Sequence, residues 1–94
     1  MSSVFYRSPG HTYPRGMRGE GVYVYDDTGK QYLDGSGGAA VTCLGHGHKE
    51  VIDAIKSQLD QLAYAHTSFF TNEPQEKLAA RLAERFGEAG ARVY

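Results

Sequence analysis

Ninety-four residues allow one small domain, near the lower limit for burying a useful core. With 40% hydrophobic and 22% charged residues the chain has the composition of a globular protein and not of a disordered one. A formal net charge of −1, with the basic residues scattered along the chain, gives no electrostatic basis for binding nucleic acid.

No apolar run approaches the roughly 18 residues of a membrane span. The N-terminal Met-Ser-Ser-Val-Phe-Tyr-Arg has no apolar stretch of the kind a secretory signal requires. The single cysteine, Cys43, excludes an intramolecular disulfide and suits a reducing compartment, so a cytoplasmic location is expected.

Residues 1–20 hold arginines, prolines and glycines without a clear period, and read as an extended lead-in held down by Phe5, Tyr6 and Tyr13. A hairpin is expected over 21–34. Gly-Val-Tyr-Val-Tyr-Asp alternates strictly, Asp27-Thr28-Gly29 supplies turn chemistry, and Lys30-Gln31-Tyr32-Leu33-Asp34 returns. Residues 35–48 form a glycine-rich loop of small residues that ends in His46 and His48. Beyond it, Val51, Ile52, Ile55, Leu59 and Leu62 recur at three- and four-residue spacing, predicting an amphipathic helix over 49–63.

An aromatic, hydroxyl-rich loop follows over 64–72. Asn72-Glu73-Pro74-Gln75 then carries helix-start signals: an N-cap, a first-turn proline and a glutamine placed to complete a capping box. That predicts a second helix over 73–86 with Leu78, Leu82 and Phe86 as its apolar stripe and Gly87 as its stop. Residues 91–94 read as the opening of a truncated strand. Both helices want partners that so short a chain does not supply, which points to a segment of a larger protein.

Residue chemistry alone completes no active site. His46 and His48 lack companions at zinc-ligand spacing, so no metal is expected, and tight-turn histidines bonding nearby backbone are the better reading. Gly35-Ser36-Gly37-Gly38 lacks the Gly-Lys-Ser/Thr ending of a nucleotide loop, leaving close backbone packing or a ligand-facing wall as its two readings. Cys43 has no neighbouring base and reads as a buried, inert thiol. Phe69 and Phe70, on a loop, suit an interface or a pocket.

The order of the segments says more. Gly21-Val-Tyr-Val-Tyr-Asp26, Asp27-Thr-Gly-Lys-Gln-Tyr-Leu-Asp34, a small-residue loop ending Gly45-His-Gly-His48, and Val51-Ile-Asp-Ala-Ile-Lys-Ser-Gln58 together resemble the start of class III (omega-amino acid type) pyridoxal-phosphate aminotransferases. Thr67-Ser-Phe-Phe-Thr-Asn-Glu-Pro74 and the Leu-Ala-x-x-Leu helix extend the match. One departure is Lys49, where family members commonly carry proline.

The resemblance implies an α+β fold: a short antiparallel hairpin or meander plus two amphipathic helices, the N-terminal part of a fold-type I enzyme. It implies a transaminase that moves an amino group from an amino acid or amine to a keto acid or aldehyde, through a pyridoxal 5'-phosphate that forms an imine with a lysine. The family's phosphate-binding turn, pyridine-pairing aspartate and Schiff-base lysine lie downstream of the segment matched here. No catalytic or cofactor-binding residue is therefore assigned to this chain, which by itself is expected to be inactive.

The residues carried over are pocket and dimer residues. Gly38, Ala39 and Ala40 match the substrate-pocket wall, and Phe69 and Phe70 match an aromatic pair that reaches into the neighbouring subunit's site in an obligate homodimer. The resemblance also implies that the lead-in around Tyr13 borders the same pocket. The competing reading is a small homodimerising interaction module without catalysis, built on the same unpartnered stripes and aromatic loop.

Overall fold

The structure is a computed structural model that describes residues 2–94. Three strands, β1 (Gly16–Glu20), β2 (Tyr23–Asp26) and β3 (Gln31–Leu33), form an antiparallel meander in the order β1-β2-β3. The β2–β3 hairpin sets Tyr23 opposite Leu33, Val24 opposite Tyr32 and Tyr25 opposite Gln31.

β1 adds a strand where the sequence suggested only an extended lead-in. Gly-Met-Arg-Gly-Glu has no β-branched residue, so its extended state comes from pairing and not from propensity. Arg18 sits opposite Tyr25 with its guanidinium 3.7 Å from the ring centroid, and its Nη1 donates to Glu20 Oε2 at 3.1 Å. A register irregularity between Gly16 and Arg18 marks where the ladder begins. In the rest of the lead-in, the Tyr6 and Tyr13 rings stack at 4.9 Å, whereas Phe5 is exposed and anchors nothing.

Asp26 closes the hairpin. Its Oδ1 accepts from Thr28 N (2.9 Å), Thr28 Oγ1 (2.6 Å) and Lys30 N (3.0 Å), and its Oδ2 accepts from Tyr32 Oη (2.8 Å). This is an aspartate folding the backbone around itself, with Gly29 supplying the left-handed φ of +84°. At 8% exposure Asp26 is the one buried polar residue among the described residues.

Those donors hold the Asp26 carboxyl down at about 2 from its ordinary 3.8, the Thr28 hydroxyl contributing most and burial opposing it. The same contact raises the Tyr32 phenol. The folded value lies below the unfolded one, so the hairpin's stabilisation by Asp26 is complete above about pH 4 and is lost as pH falls toward 2. A carboxyl-carbon NMR titration should place the Asp26 midpoint about 2; a midpoint at 3.8 would show that the turn network is absent.

Two longer helices follow, α2 (Lys49–Gln61) and α3 (Glu73–Phe86). His48 precedes α2, with Nδ1 accepting from Val51 N at 3.4 Å and its carbonyl accepting from Ile52 N. Lys49 pairs with Asp53 one turn on. Asn72 caps α3 by accepting from Gln75 N at 3.0 Å, Pro74 occupies the first turn, and Gly87 ends the helix at φ +77°. Only half of a capping box forms: Glu76, not Gln75, reaches back, and it accepts from the Thr71 hydroxyl. Lys77 pairs with Glu73.

Residues 91–94, expected to open a strand, pair with none among the described residues. Val93 and Tyr94 instead share a hollow of about 510 Å³ with Leu82 and Phe86.

Two compact units divide the chain, Met1–Ala54 and Ile55–Tyr94. The first holds the sheet and the glycine-rich stretch; the second holds α3 and the aromatic loop. Among the described residues no hydrophobic side chain is buried in either. The stripes Val51, Ile52, Ile55 and Leu59 on α2 and Leu78, Leu82 and Phe86 on α3 all lie exposed. Among the described residues no helix is long and apolar enough to cross a membrane.

Candidate functional site

The glycine-rich stretch carries an element that the sequence did not predict: α1 (Gly37–Ala40), a single turn wound left-handed. Gly37, Gly38, Ala39 and Ala40 have φ of +59°, +60°, +61° and +64°. Ala40 N donates to Ser36 O at 3.1 Å, and Val41 N and Thr42 N both donate to Gly37 O at 2.8 Å. Glycine adopts this conformation freely, but each alanine carries strain of about 1–2 kcal/mol. Something must hold it.

Asp34 does so. Leaving β3, its backbone N donates to Val22 O at 2.8 Å, which fixes it to the sheet. Its Oδ1 accepts from Gly38 N at 2.8 Å, inside the left-handed turn. Its Oδ2 accepts from Thr42 Oγ1 at 2.8 Å, just past that turn, and lies 2.7 Å from His46 Nε2. One carboxylate thus clasps both ends of the turn. The Gly38 amide first, then the Thr42 hydroxyl and His46, hold its carboxyl below the usual range. The Asp34 and His46 side chains are only 13% and 21% exposed.

His46 is fixed from two further sides. Its backbone bridges Gly21, with Gly21 N donating to His46 O at 3.0 Å and His46 N donating to Gly21 O at 2.7 Å. Its ring lies over Gly19 so closely that a Cβ there would fall 2.6 Å from the His46 Cβ and Cγ. Gly45 turns the chain into this bridge at φ +81°, and a Cβ there would sit 3.1 Å from Gly21 O.

These contacts already occupy several polar groups of the stretch. The Gly38, Val41 and Thr42 amides are spent on Asp34 and Gly37 O, so these three are not free to hold a phosphate. His46 is a structural strut. Asp34, Thr42 and His46 resemble a relay, but the Thr42 hydroxyl donates to the Asp34 carboxylate and is not paired with a base that would make it a nucleophile. Cys43 is exposed, against the expectation of burial, because residues 41–44 run along the surface; its Sγ lies 3.3 Å from Ala40 O.

Of the residues singled out in the sequence, Gly38, Ala39 and Ala40 lie together on the left-handed turn, with Ala39 and Ala40 exposed. Phe69 and Phe70 lie in the second unit, on a tight turn where both amides donate to His66 O at 3.0 and 3.1 Å. The His66 ring sits 5.6 Å from that of Phe69, and the two phenyl groups are 79% and 66% exposed. Asp34, Thr42 and Gly19 went unremarked in the sequence. A carboxylate four residues before a glycine amide was the available signal.

The chain matches the aminotransferase class-III family over residues 7–94. It is 48% identical over 91 residues to an uncharacterised aminotransferase of Schizosaccharomyces pombe, covering 97% of this chain and 20% of that protein. An acetylornithine aminotransferase of Streptomyces coelicolor is 45% identical over 78 residues, covering 83% of this chain and 19% of its own length.

Among solved structures, the taurine:2-oxoglutarate aminotransferase of Bifidobacterium kashiwanohense, in complex with PLP and glutamate, superposes with a TM-score of 0.74 at 31% identity. It covers 89% of this chain and 18% of that one. The chain thus spans about a fifth of the length of the relatives it matches. With this match across nearly all its residues, the chain belongs to the class-III aminotransferases.

Proposed function

We propose that the chain is the substrate-pocket and subunit-contact portion of a pyridoxal-phosphate-dependent transaminase. In this reading Gly38, Ala39 and Ala40 wall the amino-donor pocket, and Phe69 and Phe70 reach toward the active site of a second subunit. The observation that carries it is the family match over residues 7–94, joined to relatives about five times as long. The whole enzyme would pass an amino group from an amine or amino acid to a keto acid or aldehyde, as a homodimer in the cytoplasm.

The residues present do not by themselves fit the cofactor. A Schiff-base lysine needs a setting that lowers its pKa. Lys30, Lys49, Lys56 and Lys77 are all exposed, and two of them are paired with carboxylates. The Gly37, Gly38, Ala40, Val41 and Thr42 amides of the glycine-rich turn already bond within the chain. What this chain contributes is shape. The experiment is the donor preference of the full-length enzyme after Ala40→Trp: a shift away from bulky donors supports the pocket reading, and an unchanged preference removes it.

The exposed stripe Leu78, Leu82 and Phe86 also suits a homodimerising module without catalysis. The family match favours the enzyme.

A further inference from the structure

Resting on the reading that residues 38–40 wall the donor pocket, we propose that Asp34 is a positioning residue for substrate selectivity. By clasping Gly38, Thr42 and His46 it keeps Ala39 and Ala40 left-handed and so fixes the direction in which their side chains face.

The geometry puts this carboxylate between the turn and the strand it follows. An L-residue moved from φ near +60° to the ordinary negative region swings its Cβ to another side of the backbone. Two such residues in succession, Ala39 at +61° and Ala40 at +64°, define a surface that the right-handed alternative does not present. The turn's backbone bonds to Ser36 O and Gly37 O are local and move with it, and the one from Gly37 N to Asp34 O at 3.2 Å holds only its first residue.

The ties to the rest of the unit run through Asp34. Oδ1 holds the turn from within at Gly38, and Oδ2 holds its exit at Thr42. The third contact, to His46 Nε2 at 2.7 Å, joins the clasp to a residue bridged to Gly21 and seated over Gly19. The sheet therefore sets the conformation of two alanines that lie outside it.

The test uses the full-length aminotransferase carrying this segment, with two readouts. One is φ at residues 39 and 40 in crystal structures; the other is the ratio of kcat/KM for an aryl-bearing amine to that for a small amine. Asp34→Ala should release both alanines from positive φ and change the ratio by about tenfold, the scale expected of a misplaced pocket wall. Asp34→Asn, which keeps an acceptor for Gly38 N but not the Oδ2 acceptor for Thr42, should restore both in part. Thr42→Val removes a single contact and should shift the ratio in the same direction by less, which keeps the test open if Asp34→Ala does not fold.

Asp34→Ala with φ still near +60° and an unchanged ratio overturns the proposal. If Ala40→Trp alters the ratio and Asp34→Ala does not, the pocket reading stands and the positioning role falls. If Ala40→Trp also leaves it unchanged, both fall.

Discussion

Ala40→Trp in the full-length enzyme is expected to lower kcat/KM for aryl-bearing amines by about ten- to a hundredfold relative to small amines. Ala40 is the last residue of the left-handed turn, and its methyl group is exposed in this chain. In the proposed donor pocket an indole there would add one of the largest side chains to a wall of glycine and alanine, removing room that a bulky donor needs. Tryptophan at φ +64° is also strained, so the effect of shape must be separated from that of backbone. Ala40→Gly makes the separation: it relieves the strain, adds no bulk and should leave the preference unchanged. Equal loss for large and small donors would mean a damaged turn and not a filled pocket.

Gly19→Ala is expected to destabilise the folded protein by about 1–3 kcal/mol, the range for overpacking a filled site. The new methyl would lie 2.6 Å from the Cβ and Cγ of His46, far inside contact distance. The ring has nowhere easy to go, since its Nε2 is held by Asp34 and its backbone is bridged to Gly21. Gly10→Ala is the control, because a Cβ there meets nothing within 4 Å. That control should change the denaturation midpoint little. Combining Gly19→Ala with His46→Ala should cost less than the sum of the two, as expected for residues in direct contact. A Gly19→Ala protein as stable as the parent would mean that the His46 ring does not sit over β1.

The parts of the fold legible in the sequence are those with local causes. Alternating valine and tyrosine, followed by Asp-Thr-Gly, specify the hairpin, and the apolar spacing of 51–59 and 78–86 specifies two helices. β1 was hidden because Gly-Met-Arg-Gly-Glu becomes a strand only by pairing with β2 and laying Arg18 over Tyr25. The left-handed turn was hidden for a different reason. Glycine permits many conformations without announcing which, and alanine at 39 and 40 argues against this one.

What overrides that preference is a carboxylate whose partners lie four, eight and twelve residues onward, a distance that no periodicity reveals. Membership of the family was legible because it depends on the order of segments. The clasp was not, because it depends on three side chains meeting in space.

The most direct measurement is a crystal structure of the full-length enzyme with an amino donor bound. Ala40 of one subunit and Phe70 of the other are expected within about 4 Å of the donor's side chain, the distance of apolar contact. A donor bound with residues 38–40 packed elsewhere, out of contact with it, would contradict the assignment of this chain as a pocket wall.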